Sequence, residues 1–290
     1  MTITAGGGSL AEAMTLLDAT APMRLHYGQV RLVIFSRELA ESDALIQTLD
    51  SLNRLGEFRA DALLCVTEDE LPALMDEMKP ATGTRLSKSI EVLTAARIAQ
   101  GTIPETTIGA YRRQGTRQSL TMIAIALAED DAGSTGMEIL PQDMKSAGMK
   151  VQLAGAWLVS QAGKVAGRLN AYEHQLLRLM QNGLRKGALT TDNYSLTLLE
   201  STADAKLKEN AVRLTIRLRY RHSNLSEDGV REQLTKDISG VINKMTAANC
   251  DALGLGRQAI LHASDWTAWR DMNWPQTYPA LIWEIVIENS

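Results

Sequence analysis

"DALGLGRQAI", residues 251–260, sets Gly254, Gly256 and Ala259 in the spacing G-x-G-x-x-A, and its reading decides between a dinucleotide-binding fold and a different use of two glycines. A Rossmann fingerprint needs a strand directly before the first glycine, so that the tight turn delivers a pyrophosphate to the N-terminus of the next helix. The preceding stretch, from Ser226 to about Ala248, reads as a helix instead. Val230, Leu234, Ile238, Val241 and Met245 recur there at helical spacing and make one apolar stripe. Asn249-Cys250-Asp251 then stops one helix and "LGLGRQAILHAS" begins another, with Gly254 and Gly256 letting backbones approach closely. No nucleotide is expected at these glycines.

Toward the N-terminus, strand and helix alternate. Ser9 and Glu12 form a capping box for a helix to about Thr20. "YGQVRLVIFS" (27–36) reads as a buried strand, and Ser36 caps the helix "RELAESDALIQTLDSLNRLG", which ends at Gly56. "RADALLCVTE" (59–68) is a second strand, with Thr67 and Glu70 as a second capping box for "ELPALMDEMKP". The helix "RLSKSIEVLTAARIAQG" (85–101), a shorter helix with Pro104 in its first turn, and the strand "SLTMIAIALAED" (119–130) follow.

The Gly-, Ser- and Asp-rich stretch 130–148 marks a boundary. Beyond it, "KVQLAGAWLVSQAGKVAGRLN" is a hairpin turning at Gln161 to Lys164, closed by the helix "AYEHQLLRLMQNGLRKG" (171–187). Strands near Tyr194 to Leu199 and Ala211 to His222 lead into the long helix, and the strand in "ALIWEIVIENS" (280–290) is expected to pair inside the last sheet. The expected class is mixed α/β, or α+β: several domains, each a mainly antiparallel or mixed sheet packed with helices. Their bounds are an N-terminal α/β domain at 1–147, a hairpin-plus-helix unit at 148–192, and an antiparallel sheet with the long helix at 193–290.

Composition narrows function mainly by exclusion. With 45% hydrophobic residues, 22% charged residues and a net charge of -4, the chain has no broad basic field, so no nucleic-acid partner is expected. Cys65 and Cys250 lie in apolar surroundings far apart and read as buried thiols. Four scattered histidines, His26, His174, His222 and His262, match no zinc spacing, and neither G-x-S-x-G nor a P-loop occurs. No catalytic, cofactor-binding or metal-ligating residue is assigned.

The region around the opening stretch resembles something more specific. A helix ending in Asp251, the apolar-Gly-apolar-Gly turn Leu253 to Gly256, a short helix, Trp266, Trp269, Trp274, Pro279 and a final strand from Ala280 together look like the C-terminal domain of the Ger(x)C family. That family comprises the lipoprotein C subunits of spore germinant receptors. "LAGAWLVSQAGKVAGRLNAYEHQLLRLM" (153–180) is similar to the family's hairpin, and "GGGSLAEAMTLLDATAPMRLHYGQVRLVIFSRELA" (6–40) to its N-terminal helix and strand, with 86–148 matching least. The resemblance implies a non-enzymatic receptor subunit, needed for assembly or signalling, on the outer face of the spore inner membrane. Membrane-embedded A and B subunits are its implied partners. It also implies a signal peptide, a lipid-bearing cysteine and opening strands ahead of Met1, so the anchor is expected on a longer parent. A small-molecule-binding protein or enzyme using a cleft between domains is the alternative.

Two clusters invite a role. In "AVRLTIRLRYRH" (211–222), Val212, Leu214, Ile216 and Leu218 alternate with Arg213, Thr215, Arg217 and Arg219, with Arg221 completing a row of guanidinium groups. That row is either a solvated sheet face paired with Glu284 and Glu288 or a partner-docking surface. The tryptophans of "DWTAWRDMNW" (265–274) are expected to pack under the long helix as core.

Overall fold

The computed structural model describes residues 3–22, 25–78, 86–114, 120–127, 151–191, 194–221, 224–263 and 265–289. Its first sheet runs in the order β1 (Leu32–Ser36), β2 (Leu63–Thr67), β3 (Thr121–Leu127), β4 (Val151–Val159), β5 (Val165–Leu169). The first three strands are parallel, and β4 and β5 add antiparallel neighbours. Strands covered on both faces read as continuous apolar runs, and β2 and β3 do. Leu64, Val66, Met122 and Ala124 face the helix α3 (Ala44–Leu55), whereas Cys65, Ile123 and Ile125 face α4 (Leu71–Glu77) and α5 (Leu86–Ala99). Helices α1 (Leu10–Thr20), α2 (Arg37–Ala40) and α6 (Ile108–Gln114) complete this half.

The second sheet has the order β6 (Gly187–Thr190), β7 (Ser195–Lys208), β8 (Ala211–Arg221), β9 (Ile282–Asn289), antiparallel except for the parallel pair β8 and β9. One face is covered by α7 (Ala171–Met180) and by α8 (Glu227–Ala247), whose Val230, Leu234, Ile238, Val241 and Met245 are all buried. The expected stripe is therefore the seam of the second core. Helices α9 (Leu255–His262), α10 (Trp266–Met272) and α11 (Trp274–Thr277) cross from α8 to β9.

The hairpin of β4 and β5 joins the two halves. Through β3 it belongs to the first sheet, and Trp157, Val159 and Val165 pack in the core beside α3. Leu158 and Leu169, on its opposite face, pack in the core beneath α8. Its turn is as expected, with Gly163 at φ +83°.

Caps explain most boundaries and several corrections. Ser9 accepts from the Glu12 amide (3.2 Å), but Glu12 reaches back to Gly8 N (2.8 Å), one residue earlier than a capping box would have it. Ser36 caps only α2, and the expected single helix restarts at Ala44 before ending at Gly56, φ +66°. Thr67 ends β2 and accepts from the Asp69 amide (3.0 Å), so it forms a local turn and leaves α4 without a side-chain cap. Pro104 precedes α6, which Thr107 caps by accepting from the Ala110 amide (3.0 Å). Helix α7 stops at Met180 because Asn182 turns left-handed, φ +58°, and the Gly183 amide returns to the Arg178 carbonyl (2.8 Å). That early stop makes room for β6, whose first residue, Gly187, falls in the helix expected over 171–187 and whose remaining residues carry no expected element. Strand β9 pairs into the second sheet as expected, as its edge strand beside β8, and β7 extends nine residues past Leu199 to Lys208. The boundary stretch 130–148 lies within 128–150, outside the described residues.

Candidate functional site

The C-terminal motif is a structural knot. After α8, Asn249 takes φ +49° and turns the chain so that Asp251, fully buried, points both carboxylate oxygens at the start of α9. Oδ1 accepts from Leu255 N (2.9 Å) and Oδ2 from Gly256 N (2.6 Å), satisfying amides that a helix start leaves free. Burial pushes the carboxyl up to about 6, against the pull of these amides. The Trp274 indole N–H also favours the charged form, although it makes no hydrogen bond of ordinary geometry. Gly254 caps α9 at φ +71°, and a Cβ there would meet nothing within 4 Å. Its purpose is therefore the left-handed backbone and not close approach.

The tryptophans divide. Trp274 is buried against Tyr278, ring centroids 5.9 Å apart, and the Tyr278 hydroxyl donates to Cys250 O (2.8 Å). Trp269 is half-buried at the rim, 6.2 Å from Trp274. Trp266 is 72% exposed, contrary to the expectation of a core ring, because α10 buries none of its residues. Pro279 is the middle residue of the short 3-10 turn, Tyr278–Ala280, that leads into β9. Sequence reasoning passed over Tyr278, although a tyrosine four residues after Trp274 lies on the same helical face. Both cysteines are free and buried. Burial raises the Cys65 thiol, and burial followed by the Asp251 charge takes Cys250 up to about 12.

The arginine row is real as a face. Arg213, Arg217, Arg219 and Arg221 are exposed on β8 while Val212, Leu214, Ile216 and Leu218 are buried behind them. Register sets Arg213 beside Glu284 (3.8 Å) and Arg217 beside Glu288 (2.8 Å) on β9, and Arg219 pairs with Glu200 of β7 (2.9 Å). The pairing with Glu284 and Glu288 is the one that the sequence alternation implies.

A third feature was not foreseen by residue. Between the end of α5, the start of α7 and the free edge of β6 lies a cleft of about 400 Å³. Arg97, only 9% exposed, lines it, and burial lowers the proton affinity of its guanidinium. Lys186 stands at the rim, and the ring of Tyr172 forms a wall. The Tyr172 hydroxyl donates to Asp237 (2.7 Å) and shares a hydrogen bond with Tyr194, so the ring is held from behind by α8. Burial, then Tyr194, raises the Tyr172 hydroxyl well above its ordinary range. The floor is strapped by Gln175, which donates to Gln100 O (2.9 Å) and Ala188 O (3.3 Å), and by buried His174, whose Nδ1 bonds Gly101 O (2.7 Å). Burial takes His174 down to about 4, so it is neutral near pH 7 and Nδ1 carries the donated proton.

Among the described residues, no three metal-binding side chains gather and no helix is long and apolar enough to cross a membrane. Comparison with known proteins points in one direction. Residues 1–127 match the family model described as spore germination protein N-terminal domain, and residues 154–288 match the one described as spore germination B3/GerAC like, C-terminal. The solved structure titled the crystal structure of the GerBC protein superposes with a TM-score of 0.61 at 15% identity. The match covers 96% of this chain and 84% of that one, and at such identity it speaks for the fold alone. No match is found among curated proteins.

Proposed function

From the premise that the chain belongs to the Ger(x)C family of spore germination proteins, we propose that it serves as a non-enzymatic receptor C subunit in nutrient-triggered germination. In this reading it assembles with membrane-embedded A and B subunits on the outer face of the spore inner membrane, held there by a lipid anchor on the full-length protein. The observation that carries the reading is the match to both family domains in order along one chain.

The surface offered for assembly is the arginine face of β8. Its ion pairs are about half exposed, so each contributes about 0–1 kcal/mol to stability and remains available to exchange partners. Reversing Arg217 and Arg219 together to glutamate should lower the melting temperature only slightly, yet prevent co-purification with the membrane subunits, because like charges facing across an interface cost several kcal/mol. Normal complex recovery and normal germination of spores carrying the variant would return the row to a solvated sheet face.

A further inference from the structure

We propose that the free edge of β6 is a strand-addition site, along which an extended, acidic segment of a partner polypeptide lies in the cleft between α5 and α7 and continues the second sheet. The direction of the backbone groups carries this. Just past β6, Thr191 N donates to Tyr194 O (2.7 Å), which makes 191 and 194 a hydrogen-bonded pair. Bonded and non-bonded pairs alternate along an antiparallel ladder. In the register that runs from Gly187↔Leu198 to Thr190↔Ser195, the residues bonded to β7 are therefore Gly187 and Leu189. Ala188 and Thr190 turn their amides and carbonyls to the open side. Two further contacts agree with that phase. Ser195, opposite Thr190, sends its amide away from β6 to Asn224 Oδ1 (3.2 Å), and Ala188 O accepts from the Gln175 side chain on the open side (3.3 Å). Among the described residues, no hydrogen bond is made to the Ala188 or Thr190 amide from that side.

An edge with free donors and acceptors is a template for another chain. This one borders the cleft of about 400 Å³, whose lining takes in Lys186, Gly187, Ala188 and Thr190 but not Leu189, which is buried in the second core. In strand addition the main-chain hydrogen bonds supply the hold and the side chains supply the selectivity. Here charge supplies that selectivity. Lys186 lines the cleft and Arg185 precedes it; both are exposed, and neither forms an ion pair among the described residues. No carboxylate lines the cleft among those residues, so an acidic segment complements it and a basic one does not.

The test uses the full chain and synthetic peptides of about six residues, the usual length of a strand, in which valine alternates with glutamate, serine or lysine. Fluorescence anisotropy should show saturable binding of the glutamate peptide, weaker binding of the serine peptide and none of the lysine peptide. Hydrogen exchange should show the Ala188 and Thr190 amides fast in the free chain and slowed by the glutamate peptide. Ala188→Pro removes an outward N–H from an edge strand, a place where proline is tolerated, so the melting temperature should hold while binding weakens roughly tenfold, the effect of one lost backbone hydrogen bond. If that variant fails to fold, Arg185→Glu with Lys186→Glu decides: both positions are exposed, and the pair should reverse the preference from the glutamate to the lysine peptide. The proposal is overturned if no peptide binds saturably, if binding leaves the Ala188 and Thr190 amides exchanging as before, if folded Ala188→Pro binds as tightly as the parent, or if the charge reversal leaves the preference unchanged. Because every readout uses this chain and a synthetic peptide, failure here leaves its place in a receptor untouched.

Discussion

Asp251 and His174 are both buried and titratable, and they tilt stability with pH in opposite directions. Folding lowers His174 from 6.5 to about 4. The unfolded chain thus takes up a proton that the folded one refuses, and the site's contribution, complete above about 6.5, is lost as pH falls toward about 4. Folding raises Asp251 from 3.8 to about 6, so its contribution is complete below 3.8 and is lost as pH rises through about 6. The two slopes oppose each other across the intervening range. Urea denaturation from acid to neutral pH should show Asp251→Asn making stability climb more steeply with pH than in the parent, and His174→Gln making it climb less. Profiles parallel to the parent would contradict both assignments. Near neutral pH, Asp251→Asn should also cost about 1–3 kcal/mol, since an amide turns a donor toward one of the two backbone N–H groups. Asp251 stood out through the family resemblance, which rests on a short local pattern of an acid before a two-glycine turn, while its role in capping α9 did not. The importance of His174 was not legible, because its partner Gly101 is 73 residues away in sequence.

Elements were legible where a cap or a period marks them. Ser226 and the apolar stripe defined α8, and alternation defined β8. The misreadings share a cause: a local signal was outvoted by packing. The tryptophan-rich stretch is dense enough to suggest a core, yet α10 is a seven-residue helix on the surface, and the core position beneath it is taken by Trp274 and Tyr278. Trp274→Ala should therefore destabilise by about 3–5 kcal/mol, the range for a buried aromatic. Trp266→Ala should change stability by less than about 0.5 kcal/mol, as exposed positions do. Chemical denaturation of the two variants side by side checks both, and equal losses would refute the division. β6 was hidden for a related reason, because the residues after Met180 keep a helical composition and only Asn182-Gly183 stops the helix.

The whole molecule depends on the β4–β5 hairpin, which hydrogen-bonds into one sheet while packing leucines under the helix of the other. A division of the chain at 147 and 192 into three folding units is a proposal that this hairpin can test. Leu158 is fully buried in the second core, and Leu158→Ala should cost about 2–5 kcal/mol. If the halves unfold as one, the midpoints read by far-UV circular dichroism and by tryptophan fluorescence should fall together, whereas a shift in one alone would support separate units. The cleft belongs to this scale as well. Its residues come from α5, α7 and the approach to β6, so no window of sequence contains it. The parallel pairing of β8 with β9 has a different consequence, which concerns time. Ala211 and Ile282 meet across roughly 70 intervening residues, a loop whose closure entropy is on the order of 4 kcal/mol. Such a contact forms late, after the nearer β7–β8 hairpin and α8 have given it a surface to join. The row of arginines is thus laid down first, and its glutamate partners on β9 arrive only when the rest of the half has settled.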